Sequence, residues 1–212
     1  MPFDYPKGVL MGNVWFKNLL CIITAATLMA LSGCASYYVD TALTDVPQEA
    51  IEAPESPQPI QVVFEFRTKG AANAAATEYL KDQVYALVSE SGLFSQVDAL
   101  PTANERLLSI VIDNIPITDD AMSKGFVTGL TFGLAGNTVT DGYLCTFDFT
   151  DGKRKPIHRV FRHAIHATLG AEGAPEKATK ADSLDAAVRT MTRHVVRNGL
   201  ASLSTDPRFN QQ

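Results

Sequence analysis

The chain has 212 residues, and its 18 lysines and arginines against 23 aspartates and glutamates give a net charge of -5. An acidic balance argues against a nucleic-acid partner, because phosphate-backbone binding needs a basic footprint. The three cysteines fall at positions 21, 34 and 145, too sparsely for a disulfide framework.

The first element is an uncharged apolar run from Leu19 to Leu31, preceded by Lys17 and ending in small residues. As a helix it would reach roughly 20 Å, short of the roughly 30 Å of bilayer hydrocarbon, so it reads as a secretory signal rather than a permanent span. The other reading is an ordinary buried or membrane helix that ends in cysteine. Met11 is a second candidate start, and starting there removes Asp4 and leaves Lys17 as the charged flank.

The tetrad Leu31-Ser32-Gly33-Cys34 resembles the lipobox of bacterial lipoproteins, which signal peptidase II cuts before the cysteine. The resemblance implies cleavage between Gly33 and Cys34, a diacylglyceryl group on the Cys34 thiol and an acyl chain on the new amino terminus, with no other cofactor. Two or three acyl chains hold a protein on a membrane where one would not. Ala35 stands where an aspartate would favour retention in the inner membrane. By the same resemblance, the expected location is the periplasmic face of a Gram-negative outer membrane.

Removing residues 1–33 leaves 16 basic and 22 acidic residues, a net charge of -6, and takes away Trp15 and Cys21. With Cys34 lipidated, Cys145 is the remaining thiol and no internal disulfide can form. From 34 to 59 the chain is small, acidic and proline-bearing, with Pro47, Pro54, Pro57 and Pro59 among Glu49, Glu52 and Glu55. That composition is expected to form a flexible tether, since it offers little apolar surface to offset ordering.

Residues 60–204 are expected to form one α+β domain, followed by a tail at 205–212. Val62, Phe64 and Phe66 alternate with polar neighbours, the period of a strand. Leu80, Val84, Leu87 and Val88 recur at helical spacing between about Ala72 and Ser91, and Gly92 follows as a left-handed cap. The aliphatic run Arg106 to Ile117 reads as a central strand covered on both sides. Gly142–Thr150 and Ile157–Leu169 pair through an Asp151-Gly152 turn, and Tyr143, Cys145, Phe147 and Phe149 share a face on which Cys145 is a core residue. A helix from about Ser183 to Leu203 turns Leu184, Val188, Met191 and Val195 inward.

The expected order is therefore β-α-β-β-β-α, a single sheet of about four to five mainly antiparallel strands with two helices packed on one face. That architecture is similar to the domains of lipopolysaccharide-assembly, ABC-transport auxiliary and curli-secretion lipoproteins, over residues 60–204. The likeness rests on element order and speaks to fold rather than function.

Gly125 to Gly136 is the oddest stretch of the mature chain. As a helix it would align Gly125, Gly129 and Gly133 as a close-approach stripe, at about 1 kcal/mol for each glycine. As a strand it would set Phe126, Thr128, Leu130, Phe132 and Leu134 opposite a bare face. Three roles stay open: a connection packed on its own domain, a surface for membrane or partner contact through Gly125, Phe126, Gly129, Leu130, Phe132, Gly133 and Leu134, or a strand of an oligomeric pore.

No catalytic residue and no metal site is expected. His158 and His166 share a face of their strand but lie roughly 26 Å apart, and His163 points the other way, so one ion cannot join them. His194 is on a helix with no evident neighbour. Asp119 and Asp120 read as solvated acids, and no nucleophile elbow or phosphate loop is present. Lys153, Arg154, Lys155, Arg159 and Arg162 form one basic patch, read as a solvated hairpin edge with anionic headgroup contact as the alternative. The functional expectation is a non-enzymatic binding or accessory subunit in envelope assembly or transport, anchored to the membrane by lipid, with an envelope protein complex as partner and an open oligomeric state. An oligomeric secretion channel and an envelope hydrolase are the alternatives.

Overall fold

The computed structural model describes residues 35–117, 138–169 and 175–210. Among them β1 is Ala35–Asp40, β2 Gln58–Thr68, β3 Ala71–Ala72, β4 Phe94–Asp98, β5 Leu107–Pro116, β6 Thr138–Thr150, β7 Ile157–Leu169 and β8 Ala178–Ala181. The helices are α1 (Ala74–Glu90), α2 (Leu184–Ser204) and the short α3 (Pro207–Asn210), with a 3-10 turn at Gln48–Ala50.

The strands form one 8-stranded sheet in the order β3-β2-β5-β6-β7-β1-β8, with β4 paired to β2. This corrects the expected four to five strands. The sheet is also mixed: β2 runs parallel to β5, Gln61 opposite Leu107 through Thr68 opposite Asn114, and parallel to β4. The parallel pairing follows from α1, since a strand-helix-strand connection returns the chain in the same direction. The antiparallel pairs β5–β6 and β6–β7 are long, and Asp151-Gly152 turns the second of them, with Gly152 at φ 72°.

One sheet face forms the core. Val62, Leu108, Phe149 and Ile157 lie in one row across β2, β5, β6 and β7, and Phe66, Ile112, Cys145 and Phe161 in another. Leu108, Ile110 and Ile112 are fully buried, while Leu107, Val111 and Ile115 on the opposite face are half-exposed. The aliphatic run thus marks a one-sided strand, and not one covered on both sides.

Both long helices cover the core face. Asn73 caps α1 by accepting from the Ala76 N–H at 3.0 Å, and Ser183 caps α2 by accepting from the Ala186 N–H at 3.0 Å. In α1, Leu80, Val84, Leu87 and Val88 are buried, as their spacing predicts. In α2, Met191 and Val195 are buried, but Leu184 is 46% exposed. It sits in the first turn, where Ala187 takes the inward position instead.

The stretch read as a tether is part of the fold. β1 pairs antiparallel with β8, Tyr37 opposite Ala181 through Asp40 opposite Ala178. Ile51 is buried in the core, Thr44 O accepts from Asn198 Nδ2 at 2.8 Å, and Asp45 holds Arg193 and Arg197. The prolines punctuate an irregular path across α1 and α2, Val39 joins Ile51 in the core, and Tyr37, Leu43 and Val46 pack against it. The expected tail likewise docks. Phe209 of α3 is fully buried, edge-on to Phe94 and Phe149.

Candidate functional site

Cys34, Gly33 and the segment holding Gly125, Phe126, Gly129, Leu130, Phe132, Gly133 and Leu134 lie outside the described residues, as do Asp119 and Asp120. Of the histidines, His158 is exposed and bonds Asp148 at 2.6 Å. His163 and His166 are fully buried on opposite faces of β7, as the strand period requires. The basic patch is divided: Arg154 binds Asp151, and Arg159 binds Asp206 and Ser202.

Among the described residues, several titratable groups gather where β1 and β8 meet α2. A cavity of about 450 Å3 is walled there by Asp40 at the end of β1 and Thr41 after it, by Thr179 to Asp182, and by Thr190, Arg193 and His194 of α2. Behind it, His163 Nε2 is 3.1 Å from His194 Nδ1, and the two rings stack at 5.3 Å between centroids. On the other face of β7, His166 Nδ1 is 2.9 Å from Thr140 Oγ1, and its Nε2 is 3.5 Å from the buried Asp40 Oδ2, without a hydrogen bond.

The hydrogen bonds determine what this cluster can do. The Ala164 N–H donates to His163 Nδ1 at 2.9 Å, which uses that ring's lone pair and makes Nε2 the donor to His194. His194 in turn bonds the Leu43 backbone. Burial lowers the His163 pKa to about 4, and the neighbouring His194 adds to the shift while Asp40 opposes it. Burial also lowers His194, with Asp45 opposing. Near neutral pH this is a file of uncharged imidazoles whose lone pairs are taken, so neither ring can ligate a metal without breaking the file.

The sequence had separated these groups because β7 and α2 meet only through the tertiary fold. The legible signal was weak: His163 and His194 each fall on the inward face of their own element. Asp40 and Asp45 were hidden in a stretch read as unfolded.

Fold and site together define a single-sheet α+β domain with a buried histidine file beneath a shallow cavity. No family model and no curated protein matches the chain. Among solved structures it is similar to the PelC dodecamer from Paraburkholderia phytofirmans in two crystal forms, at 13% and 10% identity, covering 80% of this chain and 97% of that one with a TM-score of 0.34. It is also similar to the rare lipoprotein B from Shewanella oneidensis at 12% identity, covering 68% of this chain and 94% of that one with a TM-score of 0.36. Likeness at this level assigns neither activity nor assembly.

Proposed function

We propose that the chain is a lipid-anchored lipoprotein of the outer membrane, facing the periplasm and acting as a non-enzymatic accessory subunit in envelope assembly or transport. The observation that carries this reading is the Leu31-Ser32-Gly33-Cys34 tetrad behind a short apolar run, placed directly before β1. Because β1 begins at Ala35, an acylated Cys34 would leave no leash. The sheet would stand at the bilayer surface, and its partners would be membrane lipids or proteins at that level.

The non-enzymatic part rests on how reactive groups are used among the described residues. Cys145 is fully buried and its thiol pKa is pushed up by burial, which makes it a poor nucleophile. His163 and His194 are committed to each other, and Asp151 and Asp206 to arginines. The test is the intact mass of the mature protein from its native host, with labelled palmitate as a second readout. Acyl chains on an amino-terminal Cys34, abolished by Cys34→Ser, are the expected result; a bare thiol with residues 11–33 still attached overturns the reading.

A further inference from the structure

At the end of the sheet where the β6–β7 hairpin turns, a second cavity of about 590 Å3 opens between the start of β2, the loop before β5 and the hairpin. Arg106, Asp151, Lys153 and Arg154 are among the side chains that line it. Arg106 is only 6% exposed. Its guanidinium carbon lies 5.2 Å from the Phe149 ring centroid and 6.0 Å from that of Phe209. Those ring faces attract a cation, but they supply no lone pair to its N–H groups. Nε and Nη2 of Arg106 are buried without a hydrogen-bond partner.

These two nitrogens share one edge of the planar guanidinium, the edge that grips two oxygens of one oxyanion in parallel. A buried cation with that edge empty is costly to keep unless something pairs with it. The Asp151 charge attracts the guanidinium, but no neighbouring acid hydrogen-bonds this edge. Asp151 Oδ1 accepts from the Lys153 and Arg154 N–H groups at 3.1 and 3.0 Å, and Oδ2 from Arg154 Nε at 2.7 Å. Burial pushes Asp151 up, but these bonds and the Arg154 charge hold it at about 2, an anion committed to Arg154. Glu105 is exposed and lies against Gly152.

We infer that this cavity is a binding site for a phosphate group, with Arg106 as its buried fork and Lys153 as its rim cation. A phosphate can meet both orphaned nitrogens and the Lys153 ammonium from separate oxygens, and it brings more negative charge to the two cations than a carboxylate does. The cavity is large for a bare ion and within the range of ligand pockets, so it also accommodates a phosphate carried on a lipid headgroup. Nε and Nη2 are shielded from solvent, so the site requires this edge of the guanidinium to turn toward the cavity when phosphate binds. The site does not depend on Cys34 being lipidated.

The probes are inorganic phosphate and dihexanoylphosphatidylglycerol, titrated calorimetrically into the purified full chain at constant ionic strength, with melting temperature as a second readout. Saturable phosphate binding that raises the melting temperature is expected. Lys153→Ala, an exposed change that leaves the fold alone, weakens it by roughly tenfold, as losing one charged contact does. Arg106→Met abolishes both the binding heat and the phosphate-dependent rise, while melting at or above the wild-type temperature without phosphate. Binding of the lipid in competition with phosphate marks a headgroup as the source, and phosphate binding alone marks the free ion; both support the site. No saturable binding of either probe overturns it, as does wild-type affinity in Lys153→Ala together with Arg106→Met, or in Lys153→Ala alone should Arg106→Met fail to fold.

Discussion

The Phe147 ring occupies the space where Gly199 would carry a side chain. A Cβ built on Gly199 would stand 2.4 Å from Phe147 Cε1 and 2.5 Å from Cζ, closer than real carbons approach. Here the bare α2 backbone at Gly199 packs directly on the Phe147 ring of β6. Alanine at this position gains about 1 kcal/mol of helix propensity, but it forces the ring or the helix to move, at about 1–3 kcal/mol for overpacking. Gly199→Ala is therefore expected to lower the melting temperature. Adding Phe147→Leu should recover part of that loss, and a double-mutant cycle with no coupling between the two changes would contradict the contact.

Ile51 tests whether residues 36–57 belong to the domain. It is 6% exposed within the core cluster, and its neighbour Gln48 donates from Nε2 to Glu90 O at 2.6 Å. A tether residue could be changed without consequence. Ile51→Ala is instead expected to cost about 2–4 kcal/mol in chemical unfolding, the usual range for emptying a buried aliphatic site. An unchanged midpoint would return this segment to the status of a leash.

The neutral pairing of His163 with His194 makes stability fall in mild acid. The folded pKa of His163 is lowered from 6.5 to about 4, so between those values the unfolded chain binds more protons than the folded one. The stabilisation is complete above about 6.5 and is lost as the pH falls toward 4; His194 is shifted in the same direction. A shift of this size corresponds to something on the order of 3 kcal/mol. Melting curves from pH 7 to 4.5 should show the fall, and His163→Gln, which keeps a donor toward His194 but does not titrate there, should flatten it. Equal slopes in the two proteins would remove His163 as the cause.

The elements that the sequence made legible are those whose own residues carry a period. β2, α1, β6, β7 and α2 each repeat apolar residues at the spacing of a strand or helix, with Gly92, Ser183 and Gly152 marking their ends. β1, β3, β4 and β8 span 6, 2, 5 and 4 residues, and strands this short exist because a longer neighbour offers an unpaired edge. Tyr38 and Val39 are buried in β1, yet the prolines and glutamates behind them outweighed that pair in the composition. The parallel pairing of β2 with β5 follows from the path of α1, which no local pattern specifies. The site was less legible than the fold, because His163 meets His194 across 31 residues and Arg106 shows its empty edge only once Phe149 and Phe209 have closed over it.

The thiols give the last expectation, which joins the buried core to the proposed anchor. Cys145 sits at 0% exposure between β5 and β7, opposite Ile112 and Phe161, and burial raises its pKa well above the usual thiol range. In the folded state it should therefore resist alkylation, since the thiolate is the reacting species and the core must open to release it. Under the proposed processing, Cys21 would leave with the signal and Cys34 would carry its lipid on sulfur. Protein purified from its native host is then expected to show no reactive thiol when folded and one in denaturant, assigned to Cys145 by peptide mapping. A fast-reacting thiol at Cys34 in the folded protein would refute acylation there, and rapid native labelling of Cys145 would refute the packing of β6 beneath α2.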